Sequence, residues 1–115
     1  MSSDPNCVFC KIIEGKIPSR KVYEDDDLFG FHDIAPWAPV HLLLVPKIHV
    51  ASMAEVTAEH APLLGRMMAL IPRLMLENGV TNGFRIIANA GKDGMQEVPH
   101  LHLHAIGGPR PWAKG

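Results

Sequence analysis

The stretch that most constrains this 115-residue chain is His100-Leu101-His102-Leu103-His104-Ala105-Ile106. Imidazoles and apolar side chains alternate strictly, and successive side chains on a strand point to opposite faces. The spacing predicts a strand over 99–106, with Leu101, Leu103 and Ala105 turned into a core. His100, His102 and His104 then share the other face. Three imidazoles in a row favour no packing. Near neutral pH imidazole is a nucleophile, a proton donor and a metal ligand. Such a face points first to chemistry on an anionic group and second to a metal cluster.

The rest of the chain supplies a frame for that strand. Val8, Phe9, Ile12 and Ile13 predict a short helix over 7–15, with Asn6 as N-cap and Gly15 as stop. Strands are expected at 21–24, 28–33, 40–45 and 84–88, with an Asp turn at 25–27 and a proline-rich loop, IAPWAP, at 34–39. A long helix is expected from Thr57 to the stop at Asn78-Gly79, with Pro62 in its first turn and Pro72 kinking or interrupting it. The order predicts one α+β domain over 1–115: a five-stranded, mostly antiparallel sheet with one long and one short helix on one side.

Formal net charge is −1, so there is no basic excess to neutralise phosphate backbones and nucleic acid is not an expected partner. The most apolar long stretch, 61–76, is broken by Pro62, Arg66, Pro72 and Arg73, which excludes a membrane span. The polar start MSSDPN has no secretory character, so a cytoplasmic location is expected, where thiols stay reduced. Cys7-x-x-Cys10 is then half of a metal site, a redox pair, or two packed thiols. The loop at 89–96, NAGKDGMQ, precedes the histidine strand. Gly91 and Gly94 are candidates to cradle phosphate oxygens with backbone N–H groups, and Asn89 and Gln96 to add neutral donors.

The motif H-x-H-x-H followed by two apolar residues resembles that of the histidine-triad (HIT) family. GMQEVP before it, GG after it and Trp112 near the end are similar to the Hint branch, the nucleotide-binding phosphoramidases. CVFCKIIEGKIPSRKVYEDD, FHDIAPWAPVHLLLVPKIH and FRIIANAG occur in that family's order. The resemblance implies a purine nucleoside phosphoramidase or nucleotide hydrolase. His102 would be the nucleophile, forming a nucleotidyl-histidine that water resolves to a nucleoside monophosphate. His104 and Asn89 would hold phosphate oxygens, and His41 would stand near the leaving group. Asp33 would bind the ribose hydroxyls, and Phe31, His32 and Ile34 would wall the purine pocket. Gln96, Glu97 and Val98 complete the implied nucleotide contacts.

It also implies a homodimer, with Trp112 near the partner's active site, and a structural zinc held by Cys7, Cys10, His49 and His100. The chemistry itself would need no metal. Glu97 stands where many relatives carry Ser, Met95 where Gly is common and Pro99 where an aromatic is common. Other activities on the same motif are a dinucleoside polyphosphate hydrolase, an adenylyl-sulfate-type transferase, a zinc hydrolase using the histidines as its triad, and a regulatory nucleotide-binding module with incidental turnover.

Overall fold

A computed structural model describes residues 4–115. Its strands are β1 (Lys21–Glu24), β2 (Leu28–His32), β3 (Val40–Pro46), β4 (Phe84–Ile87) and β5 (Leu103–Gly107), and its α-helices are α1 (Val8–Ile13) and α2 (Ala61–Glu77). The strands form one sheet in the order β1-β2-β3-β5-β4, and every pairing is antiparallel. This is the α+β architecture expected.

The two helices lie on opposite faces of the sheet, not on one side. Leu28, Leu42, Leu44, Leu103 and Ala105 pack with Met67, Ile71, Leu74 and Met75 of α2. The alternate residues Phe29, Phe31, Leu43 and Val45 pack with Phe9 and Cys10 of α1. β2 and β3 are therefore apolar on both faces, and a sheet face of that kind must be covered. The α1 face carries the histidines.

Local details depart from expectation where tertiary contacts compete. Cys7, not Asn6, caps α1: its Sγ accepts the Cys10 N–H at 3.3 Å, while the Asn6 N–H donates to Asp4 Oδ1 at 2.8 Å. Thr57 caps a 3-10 turn, Ala58–His60, that leads into α2. α2 runs unbroken through Pro72. Pro72 and Met68, the residue four positions back, are both on the exposed side, so the carbonyl left without an N–H partner faces water. α2 ends at Asn78 and at Gly79, whose φ of 86° is the left-handed value a glycine stop provides.

The histidine strand is shorter than its alternation predicts. Pairing with β3 ends at Leu44 opposite Leu103. Before that point the chain turns to other partners: Leu101 N–H donates to Val50 O at 2.6 Å and His100 N–H to Val98 O at 2.8 Å. His100 and His102 thus sit on an extended lead-in to β5. Among the described residues, no helix is long and apolar enough to cross a membrane.

Candidate active site

The β3–β5 register places His41 opposite Ile106 and Leu43 opposite His104. His41 and His104 are therefore diagonal neighbours on one face, within reach across the ladder. His41 Nε2 and His104 Nδ1 are 2.9 Å apart. The backbone N–H of Trp37 donates to His41 Nδ1 at 3.0 Å. Because an amide can only donate, His41 Nδ1 is bare and its proton sits on Nε2. That proton goes to His104 Nδ1, which leaves His104 with its own N–H on Nε2. The Trp37 ring stacks on His104, with centroids 4.4 Å apart and planes at 20°.

His102 has the opposite polarity. Its Nδ1 donates to the carbonyl of His100 at 2.6 Å, so the lone pair is on Nε2. Phe9 of α1 meets the His102 ring edge-on, with centroids 5.1 Å apart at 85°. One histidine thus offers a lone pair and its neighbour on the strand offers a proton.

Both open onto a cavity of about 410 Å³, a size that suits a small-molecule ligand. The cavity brings together Asp33, Asn89, Glu97, Val98, His102 and His104. It adds residues the sequence did not single out, notably Trp37, Phe9, Met95 and Lys114. A tryptophan between two prolines was the available signal for Trp37. Lys114 gave none: it arrives because Ala113 N–H and Lys114 N–H donate to the Trp37 carbonyl at 2.7 and 3.3 Å. Trp112 lies apart, its Nε1–H on the Gly108 carbonyl at 3.0 Å and the Arg110 guanidinium 3.5 Å over its ring.

Other candidates lie outside the cavity. His41 is buried behind His104. Phe31 is buried against Phe9 and Phe29. His32 is half-buried and Ile34 is 98% exposed, both flanking Asp33 in the chain. Gln96 is committed inside its own loop. Its Oε1 accepts the Gly91 N–H at 3.0 Å, and its Nε2–H₂ donates to Ala51 O at 2.7 Å and Val98 O at 2.9 Å. The Gly91 N–H expected to meet phosphate is therefore taken. Gly94 serves loop closure, since a Cβ there would collide with the Ala90 backbone. Met95 holds a left-handed φ of 62° and is 76% exposed at the cavity.

Burial depresses the basicity of the cluster. It pushes His104 down to about 3, with the charges of His102, His41 and Lys114 adding to the effect. His102 and His41 are also lowered by burial. Against burial, the His100 carbonyl and the carboxylates of Asp33 and Glu97 hold the His102 ring up, and Asp33 does the same for His41. The site is thus a neutral nucleophile beside a neutral donor, with negative charge near the nucleophile's ring.

A second cluster lies behind the first. Cys7, Cys10, His49 and His100 each bring one donor atom, all within 4.8 Å of one another. Cys7 Sγ is 3.2 Å from His100 Nδ1, Cys10 Sγ is 3.6 Å from both imidazole Nδ1 atoms, and those two atoms are 3.1 Å apart. A zinc ion bound at about 2.3 Å to sulfur and about 2.05 Å to nitrogen has tetrahedral edges of about 3.3 to 3.8 Å. His100 Nε2–H donates to the Pro46 carbonyl at 2.8 Å, which keeps its Nδ1 bare, and His49 Nε2 faces the Asp4 carboxylate at 4.0 Å. Metal-ligating histidines carry such partners on their far nitrogen. Burial pushes the Cys7 thiol up to about 11 and the His100 imidazole down to about 4. The donor set fits a metal ion, and without one the thiols would sit protonated against neutral rings. Asp33, His41 and His104 also converge. There the facing His41 nitrogen carries a proton, so that trio is a hydrogen-bonded chain and not a ligand set.

Over residues 6–113 the chain matches the family described as scavenger mRNA decapping enzyme C-term binding. It is 51% identical over 104 residues to Protein HitA of Neisseria gonorrhoeae, covering 90% of this chain and 97% of that protein. It is 42% identical over 102 residues to a purine nucleoside phosphoramidase of Escherichia coli K12, covering 88% and 86%. A histidine triad protein from Clostridium difficile superposes with a TM-score of 0.90 at 42% identity, over 95% of this chain and 96% of that one. A HIT family hydrolase from Legionella pneumophila superposes with a TM-score of 0.88 at 40% identity, over 91% and 95%.

Proposed function

This chain belongs to the histidine-triad family as a Hint-like member, and from that premise we propose that it is a hydrolase of purine nucleoside 5′-phosphoramidates. The observation that carries the proposal is the paired polarity of the strand: His102 has a bare Nε2 and His104 a protonated Nε2, both at one cavity. The phosphoramidase from E. coli, at 42% identity, supports the substrate class.

The reaction is two displacements at phosphorus. The His102 Nε2 lone pair forms a bond to the α-phosphorus while the bond from phosphorus to the amine breaks. That electron pair leaves on the amine nitrogen, which takes up a proton. In the second step a water oxygen attacks phosphorus and loses its proton, and the phosphorus–Nε2 pair returns to His102. Splitting one hard displacement into two easier ones is the gain from a covalent intermediate. In that intermediate the ring is cationic. The His100 carbonyl on Nδ1–H and the carboxylates of Asp33 and Glu97 are placed to stabilise it. The His104 N–H, and the Asn89 amide beside it, serve the phosphate oxygens where negative charge grows.

Asp33 accepts from the ribose hydroxyls, and the exposed Ile34 with His32 offers a wall to the base. Cys7, Cys10, His49 and His100 hold a structural zinc, which ties α1 to the catalytic segment and takes no part in bond making. The chain pairs as a homodimer, which covers one of the open sheet edges, β1 or β4.

The test is rapid quench with labelled adenosine 5′-phosphoramidate, followed by mass spectrometry of the denatured protein. An adduct of one nucleoside monophosphate on His102 is expected at early times. An adduct elsewhere overturns the mechanism. Preference for dinucleoside polyphosphates in a substrate profile overturns the substrate class, and saturable binding with no turnover identifies a binding module.

A further inference from the structure

The cavity holds two carboxylates, and only one is engaged by the protein. Asp33 Oδ1 accepts the Ala35 N–H at 2.8 Å, and its Oδ2 lies 3.5 Å from His41 Nε2. Glu97 lines the same cavity, exposed at its mouth. Among the described residues its carboxylate makes no hydrogen bond and no ion pair. The loop that carries it is nevertheless braced. Gln96, its chain neighbour, makes the hydrogen bonds to Gly91, Ala51 and Val98 described above, and Gln96 N–H donates to Gly91 O at 3.1 Å. The position of Glu97 is thus set by a built loop.

The charges in the cavity are also kept apart. Lys114 acts on His41 and His104, and Glu97 acts on His102. Among the described residues no ion pair joins Lys114 to Glu97, and the Lys114 ammonium lies 4.9 Å over the Trp37 ring. With the ribose at Asp33 and phosphorus between His102 and His104, the rest of the substrate leaves the cavity past Met95, Glu97 and Val98.

We infer that Glu97 selects substrates by the charge of the leaving group: it favours phosphoramidates whose amine portion bears a second, cationic group and disfavours those bearing a carboxylate or phosphate there. This rests on the phosphoramidase proposal and names its substrate class more narrowly. An exposed ion pair contributes about 0.2 to 1 kcal/mol, which corresponds to a preference of up to about fivefold. Added salt weakens it.

The test uses two adenosine 5′-phosphoramidates with equal tethers, one ending in an ammonium and one in a carboxylate. The unaltered protein is expected to show a kcat/KM ratio of about fivefold in favour of the ammonium. Glu97→Gln brings the ratio close to unity, Glu97→Asp retains it in part, and Glu97→Lys inverts it. A parallel arm measures equilibrium binding of uncleaved AMP esters, with ammonium or carboxylate ends, to the His102→Ala protein with and without Glu97→Gln. If phosphoramidates are not turned over but Glu97→Gln still removes the ammonium preference in binding, the reaction assignment fails and the charge selection stands. If the unaltered protein shows no charge preference, or Glu97→Gln preserves it in both arms, the inference on Glu97 is overturned.

Discussion

Around His100 the donor atoms turn toward one another; around His102 and His104 they turn toward a cavity. The two clusters share one segment of chain and one residue type. The first is closed: Cys7, Cys10 and His100 are fully buried, and the far nitrogen of His100 is taken by the Pro46 carbonyl. The second is buried but has an open side, with a tautomer chain that starts at the Trp37 backbone and ends on an unspent N–H. The difference teaches that imidazole's role is set by what holds its other nitrogen. A carbonyl on Nε2 makes His100 a ligand through Nδ1. A carbonyl on Nδ1 makes His102 a nucleophile through Nε2. That second carbonyl belongs to His100, so the closed cluster also sets the position of the open one.

The largest break should come from the nucleophile. His102→Ala is expected to cut turnover by at least about a thousandfold while nucleotide affinity stays within about tenfold, or roughly 1.4 kcal/mol. Single-turnover kinetics with equilibrium titration checks both. Retained activity would place the reactive nitrogen outside this ring.

Breaking the closed cluster should act on stability instead. Cys7→Ser is expected to lower unfolding free energy by about 3 kcal/mol through loss of metal, while the rate per folded molecule changes far less. Urea unfolding, metal analysis and active-site titration separate the two. Protein purified without added metal that contains no zinc would remove the closed cluster from the comparison.

His104→Asn retains a neutral donor but severs the link through His41. It should slow turnover about a hundredfold, the usual cost of one misplaced oxyanion donor, and weaken phosphate binding as well. A rate loss with unchanged product affinity would assign His104 a role in chemistry alone.

The smallest effect is one of acid stability. His104 titrates at about 3 when folded, against an ordinary value near 6.5. Below pH 6.5 the unfolded chain binds a proton that the folded chain refuses, so stability present at pH 7 is lost as pH falls toward 3. His41 and His102 are shifted in the same direction. The contribution of His104 is about 1 kcal/mol per pH unit across that window. Urea midpoints at pH 7 and pH 5 should converge less steeply in His104→Asn than in the unaltered protein. Equal slopes would show that His104 is protonated alike in both states.

Much of this was legible beforehand for a local reason. Strict alternation at 100–106 states which side chains share a face whatever the rest of the chain does, because the strand repeat is a property of the backbone. The long apolar helix, its Gly79 stop and the five strands are similarly written in periodicity and turn chemistry. The alternation could not tell where pairing stops. The ladder ends at Leu103 because the backbone of His100 and Leu101 finds other partners. Pro72 looked like a helix break, but its lost hydrogen bond falls on the exposed side of α2, so the helix tolerates it.

The sequence by itself determined that three imidazoles would share one face and that a cysteine pair would open a helix nearby. Only the tertiary structure decided which imidazole became ligand, nucleophile or donor. That choice depends on the Pro46 carbonyl, the His100 carbonyl and the Trp37 amide, backbone groups that no side-chain pattern reports. The same holds for Gln96, which spends its amide on the loop, and for Lys114, which reaches the cavity through two bonds to Trp37. Roles assigned by backbone hydrogen bonds between distant segments appear only when the chain has folded, because only then are those segments neighbours.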